Sequence, residues 1–284
     1  MANKKRYLIT GGTGFLGDKL IQRLLESETV NIRVLARNEG KLISLKQKYP
    51  SVEIYPGDIC DPFHVKQAMQ DVDAVFHLAA FKHVGMAEKH VVECTNSNVV
   101  GTLNLLNESL ITKPDFFISI STDKAAKVSG VYGATKLLME RIQLQYEKMN
   151  SDTKYRIVRY GNVLYSTGSV LCKWRDLLSN GKEVIVTDPA ATRFFWTVEE
   201  AIELIFNCLK NATDSQPYVP SMKSMLIGDL LIAMASKYLP EGKDLKVKTI
   251  GLQPGENLHE KILEDGLCSS EAEKFTIEEI STKI

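Results

Sequence analysis

The chain has 284 residues, and its 35 basic and 35 acidic side chains give a formal net charge of zero. Hydrophobic residues make up 44% of it and charged residues 25%, which is the composition of a folded globular protein and excludes a disordered or fibrous one. The balanced charge gives no reason to expect nucleic acid or a membrane surface as a partner.

The sequence also lacks signals for export and for metal binding. No apolar run is long enough to span a bilayer, and the N-terminal segment has too few apolar residues for a signal peptide, so we expect a cytoplasmic protein. The five cysteines form no C-x-x-C pair and the five histidines are dispersed. We therefore expect reduced thiols and no metal site.

The first two-thirds of the chain alternate β-rich runs with amphipathic helical stretches. The predicted strands occupy residues 7–10, 31–36, 52–55, 74–78, 116–121 and 155–160. Because parallel strands are joined by crossovers that place helices over both faces of a sheet, this alternation predicts an α/β fold with a doubly wound parallel sheet. We expect this core to occupy residues 1–163.

The regular alternation weakens after residue 163. The predicted elements are a glycine-rich turn at 166–169, a strand at 184–187, a loop at 188–195, a helix at 227–239, a strand at 245–250 and a turn at 253–256. Thr197 and Glu200 match a capping box that opens a further helix. Since no linker composition intervenes, residues 164–284 are predicted to form a small α/β lobe that packs on the core, with segments free to return to it. Such a lobe would cover the carboxyl ends of the strands, where open α/β sheets bind their ligands.

The first predicted strand runs directly into the sequence GGTGFLG. Gly11 permits a tight turn, Gly14 lets the backbone approach a pyrophosphate, and Gly17 allows close packing of the following helix on the strand. The helix N-terminus adds free N–H groups and a positive dipole. This order of strand, turn and helix predicts a Rossmann-type dinucleotide site, although a glycine-rich turn without a ligand is the alternative. The other turn residues expected at the dinucleotide are Thr13, Phe15 and Leu16.

The end of the second strand indicates which dinucleotide is bound. An acidic residue there would accept the ribose 2′-hydroxyl of NAD, whereas this chain has Arg37, Asn38 and Lys41. Two cations favour a 2′-phosphate, so NADP is predicted and NAD is disfavoured. Asp58 and the backbone of Ile59, after the third strand, are expected to hold the adenine.

A tyrosine and a lysine follow the fifth strand at helical spacing. Tyr132 and Lys136 are four residues apart and share one helix face, just after a strand that ends in Ser119, Ser121 and Thr122. A lysine ammonium near a phenol lowers the pKa of the tyrosine towards the operating pH. The same lysine can bind the nicotinamide ribose. In this context the pair predicts catalysis rather than a surface contact.

Six segments occur in the order found in the extended short-chain dehydrogenase/reductase superfamily, which the chain resembles over residues 6–262. They are GGTGFLG, GDI, HLAA, Asn98, STDK and YGATK. Five longer segments narrow the resemblance to the UDP-N-acetylglucosamine 4,6-dehydratases of polysaccharide biosynthesis, in their short soluble form. These segments are HLAAFKHV, STDKAAKVSGVYGATK, RYGNVLYSTGSV, ATRFFWTVEEA and GLQPGENLHEK.

The resemblance implies a lyase that recycles tightly bound NADP within each turnover. Tyr132, beside Thr122, would remove the 4-hydroxyl proton of UDP-N-acetylglucosamine as hydride leaves C4. Lys124 would be the base at C5 and Asp123 the acid that helps the 6-hydroxyl leave as water. Hydride return to C6 would give a UDP-4-keto-6-deoxy-N-acetylhexosamine. Further cofactor contacts implied by the resemblance are Leu78, Ala79, Ala80, Lys82, Asn98, Ser119 and Val163.

A lysine that acts as a base must be partly neutral. We therefore expect a depressed pKa for Lys124, caused by Lys82, by Lys136 or by burial. An ion pair of Asp123 and Lys124 at the surface is the alternative role for these two residues.

The remaining motifs are interpreted as contacts to the substrate. Arg193 is the best guanidinium for a phosphate or the uridine. Phe194, Phe195 and Trp196 are expected to pack the lobe rather than to stack on a base. The full set of predicted substrate residues is Lys82, His83, Ser121, Thr122, Asn162, Thr167, Gly168, Ser169, Val170, Arg193 and Glu256.

Two departures from the resemblance stand out. Gln253 occupies a position where many relatives have arginine, and the tail after Leu263 is short, which slightly favours retention over inversion at C5. A 4-epimerase or 4-reductase of the same superfamily is the main alternative function, since it would share the Tyr132/Lys136 pair. A non-catalytic NADP sensor is a weaker one, because it has no need for that pair. By the resemblance we also expect a homo-oligomer.

Overall fold

The computed structural model describes residues 4–27 and 29–284, so residues 1–3, with which the predicted core begins, lie outside the described part. The strands are β1 Lys5–Thr10, β2 Val30–Ala36, β3 Glu53–Pro56, β4 Ala74–His77, β5 Phe116–Thr122, β6 Lys154–Tyr160, β7 Asn162–Val163, β8 Val184–Val186, β9 Thr192–Trp196, β10 Pro217–Tyr218, β11 Ser224–Leu226 and β12 Val247–Thr249. The α-helices are α1 Phe15–Leu25, α2 Glu39–Lys48, α3 Pro62–Ala68, α4 Val84–Ala87, α5 Val91–Thr95, α6 Gly101–Thr112, α7 Val131–Met149, α8 Val170–Ser179, α9 Val198–Asn211, α10 Ile227–Tyr238 and α11 Ile277–Lys283. A π-helical turn at Asn96–Val100 joins α5 to α6, and a 3-10 turn at Asp123–Ala125 follows β5.

Seven parallel strands form the central sheet, in the order β10-β6-β5-β4-β1-β2-β3. The six predicted strands are confirmed, each with its ends within two residues of the predicted ones. From β1 the successive strands β2 and β3 are added on one side, and β4, β5 and β6 are added on the other side. The carboxyl ends of β1 and β4 therefore border the crevice where doubly wound folds bind dinucleotides. The doubly wound α/β fold is thereby confirmed.

Helices cover both faces of this sheet. Neighbouring residues of β1 point to opposite faces, because side chains alternate along a strand. Ile9 packs in the cluster that contains Leu20 of α1, whereas Leu8 packs in the cluster that contains Leu105 of α6. All four side chains are fully buried, which explains why the strands are apolar on both faces.

The lobe contains a pair of β12 with β8 and the strands β11 and β9, and β9 also pairs with β7 at the end of the core in a three-stranded sheet of order β11-β9-β7. Its core surrounds Trp174 of α8 and Leu230 of α10, both buried. The predicted loop at 188–195 is wrong, because Thr192–Trp196 forms the central strand β9. The strand was not recognised because it begins with polar residues. It is buried along its whole length, and it pairs with β11 in antiparallel and with β7 in parallel orientation.

Two contacts tie the lobe to the core. The segment 198–218 returns to the main sheet: α9 contributes Ile205 to the cluster on one face, and β10 pairs with β6. Arg159 of β6 is buried and donates to both carboxylate oxygens of Glu140, to the Ile262 carbonyl and to Glu264. The two parts are therefore joined by packing, by strand pairing and by buried hydrogen bonds.

Candidate active site

Two adjoining cavities open at the carboxyl ends of the parallel strands. The larger has a volume of about 570 Å³ and extends from the glycine turn of β1 to the N-terminal part of α7. The smaller, of about 300 Å³, lies between the core and the lobe. Both are lined by Lys82, Asn162, Val163 and Ser166, so a ligand in one cavity lies beside a ligand in the other.

The glycine turn shapes one end of the larger cavity. Gly11 has a φ of +71°, and a Cβ there would lie 2.7 Å from the backbone nitrogen of Ala79. A Cβ on Gly17 would lie 2.5 Å from the Cα of Gly12, so only glycine allows α1 to pack this closely. Within the described chain, no side chain caps the N-terminus of α1 at Gly14. Its free N–H groups fit the pyrophosphate of a dinucleotide.

The rim of this cavity at the end of β2 carries two cations and one carboxylate. Arg37 and Lys41 both line it, and Nη1 of Arg37 lies 3.9 Å from Oδ2 of Asp58. Asn38 caps α2, because its Oδ1 accepts a hydrogen bond from the backbone N–H of Lys41 at 2.9 Å. The side chain of Arg37 is largely exposed and free to meet a phosphate.

Most of the predicted cofactor residues line the larger cavity. They are Gly11, Thr13, Gly14, Phe15, Leu16, Gly17, Arg37, Asn38, Lys41, Asp58, Ile59, Leu78, Ala79, Ala80, Lys82, Tyr132, Lys136 and Val163. The Ile59 carbonyl, however, already accepts a hydrogen bond from Asn104 at 3.0 Å.

Two predicted cofactor residues do not reach the cavity, and these predictions are corrected. Asn98 is buried and uses its amide to bind the backbone of Phe81 and the hydroxyl of Thr135. Its neighbour Ser97 lines the cavity instead. Ser119 is buried and donates to Gln143 of α7 at 2.5 Å. Both side chains join secondary-structure elements behind the site.

The catalytic candidates meet where β5 ends. Ser121, Thr122, Lys124, Tyr132 and Lys136 all line the larger cavity. The N-terminal part of α7 packs directly on the turn that follows β5, since a Cβ on Gly133 would lie 2.3 Å from the Lys124 carbonyl oxygen. The glycine in YGATK thus brings the tyrosine and the two lysines to one wall.

Asp123 is fully buried behind this wall and lines neither cavity. Its Oδ1 accepts hydrogen bonds from the Thr122 hydroxyl at 2.9 Å and from Nζ of Lys124 at 3.1 Å. Its Oδ2 has no hydrogen-bond partner among the residues that the structure describes. Asp123 therefore contacts the cavity only through Thr122 and Lys124, and the surface ion pair considered from the sequence is excluded.

The expected depressed pKa of Lys124 is wrong. Burial lowers the pKa of its ammonium, but the charges of Asp123 and Glu260 outweigh burial and leave the pKa above its ordinary value. Of the expected causes, burial acts in the expected direction, and the cation that lowers this pKa is Arg193 rather than Lys82 or Lys136. In the free protein Lys124 is accordingly protonated and paired with two carboxylates.

The expected effect of Lys136 on Tyr132 is also corrected. Burial raises the pKa of Tyr132 to about 12, and the opposing cation is Lys124, with a smaller contribution from the Thr122 hydroxyl. Nζ of Lys136 instead donates to the Ile120 carbonyl. Burial lowers the pKa of Lys136 to about 8, so this lysine can lose its proton near neutral pH.

The smaller cavity contains the other predicted substrate residues. Lys82, His83, Asn162, Thr167, Gly168, Ser169, Val170, Arg193 and Glu256 line it. Nζ of Lys82 donates to the Thr167 carbonyl at 3.1 Å, and burial lowers the pKa of this lysine. Gln253 does not line the cavity and donates to the Gly251 carbonyl instead.

Arg193 is largely committed to the protein itself. Its Nη1 donates to the carbonyls of Thr192 and Leu258, both at 2.8 Å, and its Nη2 donates to the Asn257 carbonyl at 2.7 Å. Phe194, Phe195 and Trp196 are buried in the hydrophobic clusters. The aromatic side chains thus serve packing, and Arg193 has few N–H groups left for a ligand.

The sequence interpretation missed two side chains. Glu260 lies 3.7 Å from Nζ of Lys124. Tyr160 lines the larger cavity, and its buried hydroxyl has no hydrogen-bond partner in the described structure. Both lie inside segments that carried the resemblance, GLQPGENLHEK and RYGNVLYSTGSV, so the signal was present. Nothing in the spacing indicated that Glu260 would lie beside Lys124.

Comparison with known proteins identifies the family. A family model described as polysaccharide biosynthesis protein matches residues 7–281. A protein of Methanocaldococcus jannaschii named as an uncharacterized membrane protein is 37% identical over 284 residues, covering 97% of this chain and 84% of its own. The UDP-N-acetylglucosamine 4,6-dehydratase (inverting) of Campylobacter jejuni is 35% identical over 266 residues, covering 92% and 78%. The UDP-glucose 4-epimerase of Rickettsia canadensis is 32% identical over 267 residues, covering 91% and 77%.

Solved structures agree on the fold. The X-ray structure of Pen from Bacillus thuringiensis superposes with a TM-score of 0.87 at 31% identity, covering 92% of this chain and 82% of that one. UDP-glucose 4-epimerase of Thermus thermophilus in complex with NAD superposes with a TM-score of 0.77 at 19% identity, covering 98% and 100%. None of the helices in the described part of the chain is both long and apolar enough to cross a membrane. The chain therefore belongs to the polysaccharide biosynthesis protein family, as an enzyme related to the nucleotide-sugar dehydratases and epimerases.

Proposed function

We propose that this enzyme is an NADP-dependent UDP-N-acetylglucosamine 4,6-dehydratase. The observation that carries the proposal is the hydrogen-bonded pair of Asp123 and Lys124 beside Tyr132, at the end of the larger cavity. A 4-epimerase or 4-reductase needs a tyrosine and a lysine for hydride transfer, but it removes no proton from C5 and expels no water. An additional acid and base are what elimination requires.

The larger cavity suits a dinucleotide, with the pyrophosphate at the N-terminus of α1 and the adenosine at the end of β2. Arg37 and Lys41 favour a 2′-phosphate there, so the proposed cofactor is NADP. When bound, it supplies a hydride acceptor at C4 and returns the hydride at C6. The UDP moiety is proposed to occupy the smaller cavity.

Tyr132 is proposed to take the proton of the substrate 4-hydroxyl. Its raised pKa of about 12 in the free protein means that the phenol is protonated until a further positive charge or the substrate arrives. Lys124 is the cation that already lowers this pKa. Lys136, with its ammonium on the Ile120 carbonyl, is proposed to bind the nicotinamide ribose.

The elimination step needs a neutral lysine and a protonated acid, and the resting ion pair can provide both. The proton of Lys124 is proposed to cross its 3.1 Å hydrogen bond to Asp123 once the substrate is bound. Lys124 then removes the C5 proton. Asp123 passes its proton through the Thr122 hydroxyl, which it contacts at 2.9 Å, to the departing 6-hydroxyl. The 6-hydroxyl thus leaves as water.

Relatives support two activities. The Campylobacter jejuni relative bears the dehydratase name and the Rickettsia canadensis relative bears the name UDP-glucose 4-epimerase, at similar identity. A UDP-sugar 4-epimerase is therefore the second candidate, and it would use Tyr132 and Lys136 without the Asp123/Lys124 pair.

The test is incubation of the purified protein with UDP-N-acetylglucosamine in D₂O, without added reductant, followed by NMR. A dehydratase produces a 4-keto-6-deoxy sugar with deuterium at C5. Formation of UDP-N-acetylgalactosamine would instead establish the epimerase, and an unchanged substrate would refute both.

The configuration at C5 is read from the same spectrum. Retention is the outcome expected from the sequence, whereas the Campylobacter jejuni relative is named as inverting. Retention requires deuteron delivery to the face from which Lys124 removed the proton, and inversion requires delivery to the opposite face. We expect retention, and an inverted product would contradict that part of the proposal alone.

A further inference from the structure

A carboxylate from the lobe faces Lys124. Glu260 is fully buried, and its Oε1 lies 3.7 Å from Nζ of Lys124 and 4.0 Å from Nε of Arg193. Its other oxygen accepts a hydrogen bond from the Asn257 amide at 3.2 Å. Over the described residues, Oε1 has no hydrogen-bond partner at all.

The backbone around Glu260 is held in place. Its N–H donates to Oγ of Ser269 at 2.9 Å, and the N–H of Ser269 donates back to the Glu260 carbonyl at 2.8 Å. Oγ of Ser269 also lies 3.1 Å from the carbonyl of Thr192 in β9. The carboxylate is therefore presented to Lys124 by a fixed piece of the lobe.

The local packing around Glu260 does not require a negatively charged side chain. A neutral glutamine could accept the same hydrogen bond from Asn257, and burial of a charge is costly unless a cation compensates it. Arg193 is already held by three carbonyl oxygens. The negative charge of Glu260 therefore mainly stabilises the ammonium of Lys124.

We propose that Glu260 is a positioning residue that holds the Lys124 ammonium from the lobe side and sets the pH at which the Asp123–Lys124 pair loses its shared proton to solvent. This inference rests on the proposed function, in which Lys124 removes the C5 proton. It gives the lobe a role in the chemistry of the core, because the charge of Glu260 on the lobe influences the proton of Lys124 on the core.

Four charged or titratable groups face Lys124. Asp123 lies on its own turn, Tyr132 on α7, Arg193 on β9 and Glu260 on the lobe segment. The two carboxylates favour the ammonium and Arg193 opposes it. Without the charge of Glu260, Arg193 is left to oppose Asp123, so the proton of Lys124 is released at lower pH.

The experiment measures Lys124 directly. Protein labelled with ¹⁵N at the lysine side chains is titrated by NMR, and the Lys124 signal is identified by its loss in Lys124→Arg. We expect Glu260→Gln to lower the pKa of Lys124 by about one unit or more. In turnover, the high-pH limb of kcat should move to lower pH by a similar amount, because the pair then loses at lower pH the proton that Asp123 must donate. KM should change less than about twofold.

Glu264→Gln is the matched control, because Glu264 lies in the same segment but pairs with Arg159. It should leave the Lys124 titration unchanged. A merely structural role for Glu260 would lower the thermal midpoint without moving either titration, and that result overturns the inference. Should Glu260→Gln not fold, Glu260→Asp is measured instead, and an unaltered pKa of Lys124 in that variant overturns it equally.

The proposed function and this inference fail separately. A wild-type protein that leaves UDP-N-acetylglucosamine unchanged refutes the proposed function, whereas the titration of Lys124 still reports its coupling to Glu260. Conversely, an active dehydratase whose Lys124 titrates identically with and without the Glu260 charge refutes the inference alone.

Discussion

The core and the lobe build their parts of the site by different means. At the glycine turn the backbone itself forms the surface, and the absence of side chains at Gly11 and Gly17 is the essential feature. At the boundary with the lobe the cavities are lined by the charged side chains of Lys124 and Arg193, and the fully buried Glu260 lies behind them. Under the proposed function, the first part binds the dinucleotide through its shape, and the second part moves protons.

This difference determines what each half tolerates. A backbone site fails when anything is added, since a Cβ has no room to move. A buried charge site fails when anything is removed, because the remaining charges lose their compensation. Substitutions in the two halves should therefore affect different measurements, binding in one and chemistry in the other.

The largest effect is expected from Lys124→Ala, which removes the proposed base. Product formation should fall about 10³-fold and deuterium incorporation at C5 should stop. Cofactor affinity, measured by calorimetry, should remain unchanged. The exposed Lys127 lies in the same segment, and Lys127→Ala is the control expected to behave as wild type. Continued C5 exchange in Lys124→Ala would remove Lys124 from the mechanism.

Gly17→Ala should act on binding. The new Cβ would meet the Cα of Gly12 at 2.5 Å, so α1 must move away from the turn. We expect the affinity for NADP to fall about 10- to 100-fold, as measured by calorimetry. Gly85→Ala places a methyl group where no atom lies within 4 Å and should have no effect. Equal affinities for the two variants would contradict a backbone-built site.

Acid should weaken the core through His77. This side chain is buried between the hydroxyls of Thr10 and Thr102, and burial lowers its pKa to about 3. The unfolded chain takes up a proton below pH 6.5 that the folded chain refuses, so stability is full above that pH and falls as the pH decreases towards 3. Between pH 7 and pH 5 the free energy of unfolding should decrease by about 2 kcal/mol on this account.

Urea titrations of the wild type and of His77→Gln at the two pH values measure this contribution. The variant cannot take up that proton, so its stability should fall less between pH 7 and pH 5. An identical loss in the two proteins would show that other groups cause the acid sensitivity.

The smallest effect is expected at the adenosine end. Arg37→Ala removes one exposed cation from the rim, so the affinity for NADP should fall about tenfold while that for NAD stays constant. The NAD measurement is the internal control. Parallel changes in both affinities would refute a 2′-phosphate contact.

The backbone-built half was largely predictable from the sequence. Strands of the parallel sheet are apolar on both faces, and the glycines of the turn lie within a few residues of each other, so local patterns contain the necessary information. The six predicted strands and the grouping of the cofactor residues at one cavity follow from that locality.

The charge-built half was not predictable in the same way. The central strand β9 begins with polar residues and was expected to be a loop, although neighbours on both edges bury it. The pKa of Lys124 depends on Glu260, which is distant in the chain. Asn98 and Ser119 were assigned to the cofactor, but their hydrogen bonds go to protein groups that no sequence pattern specifies. Electrostatic partners across a fold are set by tertiary structure.

The return of α9 and β10 to the main sheet has a consequence for exchanging substrate specificity between relatives. A graft of the lobe cannot use a single crossover point, because α9 packs on the main sheet of the recipient and β10 pairs with its strand β6. A workable chimera would transplant residues 164–197 and 219–284 together and leave the intervening helix and strand native. Recombination at one site after residue 163 would instead replace a face of the recipient's own sheet with foreign side chains.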